Sequence, residues 1–157
     1  MMASGVPNGG HGGAVNHWLA LAVGAVFVWL GMVLAISFLE TPLKFRAPGV
    51  TIQVGLGIGR LVFRALNICE VVLAAVALVA VVLGRPPVGA VVALVVAVAA
   101  LGAQLVVVRP ALTRRSDAVL ADADVAESGR SHAHLAYVGC EVAKVVALLV
   151  CGVLLLV

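Results

Sequence analysis

The sequence predicts an all-α fold, a polytopic membrane four-helix bundle, and three observations carry that reading. Hydrophobic residues make up 64% of the 157 positions and charged residues only 11%, whereas soluble domains average about 45–50% and about 25%. The mean hydropathy is +1.23. Four apolar runs, each near the roughly 20 residues a bilayer requires, alternate with short polar or Pro/Gly-containing stretches. Val is common in these runs and favours strands in water. Lipid, however, offers the backbone no hydrogen-bond partner, so long runs without period-two alternation are read as helices. Four spans fill the chain and leave no room for a second soluble domain.

Residues 1–16, rich in Gly and free of Lys and Arg, are expected to form a flexible extracytoplasmic tail, with 17–157 as the four-span membrane domain. His11 has no partner at ligand spacing and reads as solvated. A cleaved signal peptide has a basic start and an apolar core of about 7–15 residues. The run over 18–39 is of span length instead and is read as a retained first helix. The second span covers 61–83 and ends at Gly84-Arg85-Pro86-Pro87, because proline cannot continue a helix and disfavours the helical region for the residue before it. The third covers 88–108 and stops before Arg109-Pro110. The fourth covers 134–157. Between the last two, residues 113–131 are the most polar part of the chain, a loop or short surface helix with Ser116 or Asp117 as its cap.

Between the first two spans, Pro42 and Pro48 flank Leu43-Lys44-Phe45-Arg46. Apolar residues interleaved with basic ones suit an interfacial or partly re-entrant segment at headgroup level. Gly55-Leu56-Gly57-Ile58-Gly59-Arg60 lacks both the spacing and the preceding strand of a nucleotide loop. It is read as a turn and close helix entry, with Arg60 facing lipid phosphate.

The net charge is +3. The basic residues flank apolar spans, which points to membrane topology and not to nucleic acid. Lys44, Arg46, Arg60, Arg109, Arg114, Arg115 and Arg130 share one side, with Arg64 at its membrane edge, against Arg85 alone on the other. Short loops rich in Lys and Arg stay cytoplasmic. The expected location is therefore a bacterial inner (plasma) membrane, with both termini extracytoplasmic and the large loops cytoplasmic.

The chemistry lies in Cys69-Glu70-Val71 and Cys140-Glu141-Val142, inside the second and fourth spans. A carboxylate at bilayer depth costs about 2.5–3.5 kcal/mol on insertion scales and is a functional-site candidate by default. His134, Tyr137, Glu141 and Lys144 recur at helical spacing and share one face of the fourth span. Arg60, Arg64, Asn67 and Glu70 do so on the second. Both stripes occupy the cytoplasmic half of their helices, so they are expected to face each other across the interior, with Gln104 near enough to join. Glu70, Glu141, Lys144, Asn67, Tyr137 and His134 form the expected intramembrane polar site. Arg60, Arg64, Lys44 and Arg46 form its cytoplasmic entrance at the lipid headgroups. Like charges held close favour a shared proton between the two carboxylates, with Lys144 bridging them. The competing reading is a buried ion-pair network that fixes helix register, or an interface with a partner subunit.

Cys69, Cys140 and Cys151 form no even framework and no zinc spacing, and they read as small packing residues. His17 lies at the outer edge of span one and His132 and His134 at the inner edge of span four, so they cannot ligate one haem iron within a monomer. A pair of His134 residues across a dimer, or His134 with Tyr137, stays open. No metal site or catalytic residue is indicated. Small residues at four-residue spacing, such as Ala20 and Gly24, Gly31 and Ala35, or Gly89, Ala93 and Ala97, permit close helix packing. Aligning Cys69 with Cys140 also brings Leu78-Val79 onto Leu149-Val150, an echo that suggests two repeated helical hairpins.

The stretch Glu40-Thr41-Pro42-Leu43-Lys44-Phe45-Arg46-Ala47-Pro48-Gly49, followed by Gly57-Ile58-Gly59-Arg60-Leu61-Val62-Phe63-Arg64-Ala65-Leu66-Asn67, resembles a family of uncharacterised bacterial four-helix membrane proteins. That family is distantly similar to small membrane proteins linked to cisplatin resistance and to copper-resistance D-type bundles. The resemblance implies the four-helix membrane fold and no activity, and the chain lacks the facing histidines of a haem or copper site. The expected function is a small binding or transport module with a polar intramembrane site open to proton coupling. The alternatives are a structural or assembly subunit of a membrane complex, or a bundle binding haem or quinone. The expected partners are the lipid bilayer and a second copy of the chain, and the cofactor is left open. Small multidrug exporters are also four-helix chains with a membrane glutamate, but they carry it in the first span, where this chain has no charge before Glu40.

Overall fold

The computed structural model describes residues 16–44, 46–108, 110 and 132–157, without the side chains of residues 52, 107, 108 and 132–134. His11, the polar stretch 113–131 with Ser116 and Asp117, and Arg109, Arg114, Arg115 and Arg130 lie outside the described residues. Among the described residues there is no strand. Four helical stretches are long and apolar enough to cross a membrane: His17–Lys44, Gln53–Gly84, Val88–Val106 and Leu135–Leu156. The chain is an all-α four-helix membrane bundle.

Helix α1 (His17–Val33) begins where the Asn16 side chain accepts the N–H groups of Trp18 and Leu19, capping donors that lipid would leave bare. It runs on through a π-helical segment, Leu34–Glu40, into the short α2 (Thr41–Lys44). The part of the expected interfacial or re-entrant segment at Thr41–Lys44 therefore continues the first helix. Pro42 removes a backbone donor there, and the wider π segment just before it absorbs the break. Thr41 Oγ1 helps by donating to the Ile36 carbonyl at 3.0 Å. The chain turns back only at Arg46–Gly49, where Gly49 takes φ +81°.

Helix α3 (Ile52–Gly84) has 33 residues and is capped by Thr51, whose side chain accepts from the Val54 N–H at 3.3 Å. At ~50 Å it exceeds a hydrocarbon core of ~30 Å. The expected glycine turn at Gly55–Gly59 is thus part of this helix. Gly59 lies against the Lys44 side chain: a Cβ there would lie 2.8 Å from Lys44 Nζ, which would have to shift. The helix ends because Pro86 follows Arg85, which adopts the left-handed conformation (φ 50°, ψ 56°) while its N–H returns to the Val81 carbonyl at 3.0 Å. Asn16 Nδ2 closes this end by donating to the Gly84 carbonyl at 3.1 Å.

Helix α4 (Val88–Ala103) also passes into a π-helical segment, Gln104–Val108, and α5 covers His132–Leu156. Helix α1 packs on α3, α4 on α5, and α1 on α5, whereas α3 and α4 meet only sparsely. The cyclic order is α1, α3, α4, α5. Neighbours are antiparallel, with Gly84 at the end of α3 against Leu19 and Gly89 at the start of α4 against Leu154. Helices α3 and α5 run parallel on one diagonal. The core is built on Ala22, Ala77, Ala80, Ala90 and Ala97 around Trp29, Leu94 and Leu148, all fully buried, so the backbones approach closely. Of the expected small-residue pairs, Ala93 and Ala97 face this core, while Ala20, Gly24, Gly31, Ala35 and Gly89 are exposed.

Candidate functional site

Lys144 has no exposed surface, and its ammonium sits on the diagonal between α3 and α5. A buried ammonium brings three donors and must place each of them. Lys144 Nζ donates to Glu70 Oε1 at 2.5 Å, to Gln104 Oε1 at 2.7 Å and to Glu141 Oε1 at 3.3 Å. The Gln104 amide completes a ring by donating from Nε2 to Glu141 Oε1 at 2.8 Å. On the other side, Trp29 Nε1 donates to Glu70 Oε1 at 3.0 Å. Glu70 and Glu141 are 0% and 2% exposed, and Gln104 4%. One residue or more from every spanning helix enters this network.

Local sequence explains the placement. Glu141 and Lys144 are three apart on α5, so they share a face. Glu70 lies ~21 Å along α3 from Gly84 and Glu141 ~22 Å along α5 from Leu156, at 1.5 Å per residue, so the parallel helices set both at one depth. Gln104 opens the π segment of α4, where its side chain is turned inward and buried.

The network is incomplete on the carboxylates. Among the described residues, Glu70 Oε2 and Glu141 Oε2 are buried without a hydrogen-bond partner, as is Ser37 Oγ in the π segment of the first span. Tyr137, one turn before Glu141 on α5, has the Glu141 carboxylate and the Ser37 hydroxyl as its polar neighbours. Its ring meets Phe63 edge to face at 5.6 Å. Beyond Phe63, Lys44 Nζ stands 5.3 Å over that ring and pairs with Glu40 Oε2 at 3.4 Å. An aromatic layer therefore separates the buried cluster from an ion pair at the loop end of the bundle.

The structure brings together Glu70, Glu141, Lys144 and Gln104, with Tyr137 beside them. Asn67 is elsewhere: it lines a lateral groove of about 260 Å³ with Ile68, Val71, Val72 and Leu105, where α3 and α4 part. The His134 side chain lies outside the described residues. Arg46, Arg60 and Arg64 are exposed, and Lys44 is half-buried. Among the described residues, no three His, Cys, Asp or Glu side chains gather as a metal-ligand set. Trp29 and Ser37 are the site residues that sequence reasoning missed. Trp29 carried a signal, because tryptophan favours the membrane–water interface and its indole N–H needs an acceptor when buried in mid-span. Ser37 carried little, since a lone serine is common in a span.

Fold and site together define an integral membrane four-helix bundle with a charged interior. No family model, no curated protein and no solved structure matches the chain.

Proposed function

We propose that the chain is a small binding or transport module of a bacterial plasma membrane, working through a proton exchanged at the Glu70–Lys144–Glu141 cluster. One observation carries this reading: two buried carboxylates share one buried ammonium, and each keeps an oxygen without a partner among the described residues. An ion pair that served register alone needs one acid and one base. The second acid leaves a net negative charge in a medium of low dielectric, which a proton neutralises without needing space. The excess of Lys and Arg around 44–64 supports a cytoplasmic placement of that end. The resemblance of residues 40–67 to bacterial four-helix membrane proteins supports the same cellular setting.

The test follows from charge balance. Glu70→Gln leaves Glu141 and Lys144 as a neutral pair with no proton to exchange. In liposomes holding a trapped pH indicator and driven by a potassium diffusion potential, the native protein is expected to acidify the lumen. The variant should not, while keeping the same helical circular dichroism. Equal acidification by Glu70→Gln, or none by the native protein, overturns the reading.

A second reading, a structural or assembly subunit, is favoured by a separate observation. All three Lys144 donors are used, and the network ties the four spanning helices together.

A further inference from the structure

The two glutamates are not equivalent. Glu70 Oε1 receives the Lys144 ammonium at 2.5 Å and the Trp29 indole N–H at 3.0 Å. Glu141 Oε1 receives the neutral Gln104 amide at 2.8 Å and the ammonium only at 3.3 Å. A charged donor stabilises an ionised acceptor most at the shorter distance. The Gln104 amide is oriented by its two neighbours, its oxygen toward the Lys144 ammonium, which can only donate, and its nitrogen toward the Glu141 carboxyl.

The surroundings of Glu141 hold few other charges. On α5 it has Lys144 and Tyr137, and the π segment of α4 offers the neutral Gln104; Glu70 of α3 is reached through Lys144, and the first span brings Trp29 to Glu70 and Ser37 to Tyr137. Toward the 84–87 turn the interior is closed in this conformation by buried Ala22, Val26, Ala77, Leu94, Ala97 and Leu148, so a proton crosses to that side only when the helices repack. Toward the loop end lie Tyr137 and Ser37, and then Phe63 with the Lys44–Glu40 pair.

Resting on the proton-exchange reading above, we infer that the exchangeable proton resides on Glu141 Oε2, that Glu70 is the constant counter-ion of Lys144, and that in this conformation the proton exchanges with the loop end through Tyr137 and Ser37. A protonated Oε2 donates to the Tyr137 hydroxyl oxygen, and Tyr137 in turn donates to Ser37 Oγ. This arrangement gives partners to two of the three buried polar atoms that lack them. In uptake, Tyr137 passes its hydroxyl proton to Glu141 Oε2 and takes one from Ser37, which regains one from a hydronium ion at the loop end. An O–H bond breaks on the hydronium, Ser37 and Tyr137 and one forms on Ser37, Tyr137 and Glu141 Oε2, so the net change is one proton carried to Glu141.

Infrared spectroscopy of the whole protein in lipid nanodiscs tests this directly, because a protonated carboxyl has its own C=O stretch that shifts in D2O. Aspartate substitutions keep the charge count and move the band of whichever residue carries the proton. Glu141→Asp is expected to displace the band, and Glu70→Asp to leave it in place. Tyr137→Phe is expected to retain the band but slow its D2O shift by about tenfold or more, as loss of a relay group does. Displacement by Glu70→Asp and not by Glu141→Asp overturns the assignment. An unchanged exchange rate in Tyr137→Phe overturns the route. A native protein with no exchangeable carboxyl band overturns both this inference and the proton-exchange reading. Failure in the aspartate comparison alone leaves the latter standing.

Discussion

At the scale of single residues, Lys144 decides how the cluster is to be understood. Its four-carbon stem and ammonium are wholly buried, and it is the one cation against two acids in the network. Lys144→Met keeps the stem volume and deletes the charge, leaving Glu70 without its counter-ion. Breaking a buried pair in this way costs about 3–5 kcal/mol, and equilibrium unfolding in detergent micelles should show a loss of that order. Replacing Glu70, Lys144 and Glu141 together by methionine removes every uncompensated charge and should recover most of the stability. If the triple variant is stable yet carries no proton, the cluster serves exchange; if only the single variant is unstable and proton movement survives the triple change, the cluster serves register. Much of this site was legible in the sequence. Glutamates at bilayer depth are conspicuous because they are costly, and the three-residue spacing of Glu141 and Lys144 ties them to one face. Trp29 was harder to see, because its role depends on an acid 41 positions away. Asn67 shows the limit of stripe arguments: it lies on the same polar row as Glu70, yet it faces the seam between α3 and α4.

At the scale of elements, the helix ends at the 84–87 turn followed from sequence, whereas those facing the 46–49 turn and the helix interiors held the surprises. Prolines 86 and 87 mark the turn between the second and third spans, and the structure shows how the chain meets their demand. Arg85 takes a left-handed conformation (φ 50°) that a residue bearing a Cβ adopts at a cost of about 1–2 kcal/mol. Glycine has no such penalty and is the usual residue at this position past a helix end. Arg85→Gly is therefore expected to stabilise the protein by about 1 kcal/mol in the same unfolding assay, and a destabilised variant would show that the Arg85 side chain holds the turn. The two π segments, by contrast, left no trace in composition. One extra residue per turn hardly alters an already apolar run, so periodicity could not reveal Leu34–Glu40 or Gln104–Val108. Both lie toward the loop end, and they hold Ser37 and Gln104, two of the polar groups around the site. Such bulges are frequent at functional sites, and here they turn polar side chains inward from helices that are otherwise hydrocarbon.

At the scale of the whole molecule, the number of spans and the class of fold could be read from composition alone, because a bilayer limits length and backbone pairing so strictly. The order of packing could not, since Val- and Ala-rich helices present similar surfaces on every side. Only the structure shows α3 and α5 on a diagonal with the seam between α3 and α4 left open. Which end of the bundle meets the cytoplasm is a matter of charge. Lys44, Arg46, Arg60 and Arg64 cluster at one end, and Arg85 stands alone at the other. Basic residues near span ends are retained on the cytoplasmic side, so the Arg46–Gly49 turn is expected inside and the 84–87 turn outside. Ala47 and Pro87 are both exposed and suit single-cysteine labelling, with Cys69, Cys140 and Cys151 replaced by alanine. In intact bacterial cells a membrane-impermeant maleimide is expected to label Pro87→Cys at once, and Ala47→Cys only after permeabilisation. The reverse pattern would invert the protein, and with it the direction from which a proton reaches Tyr137 and Glu141.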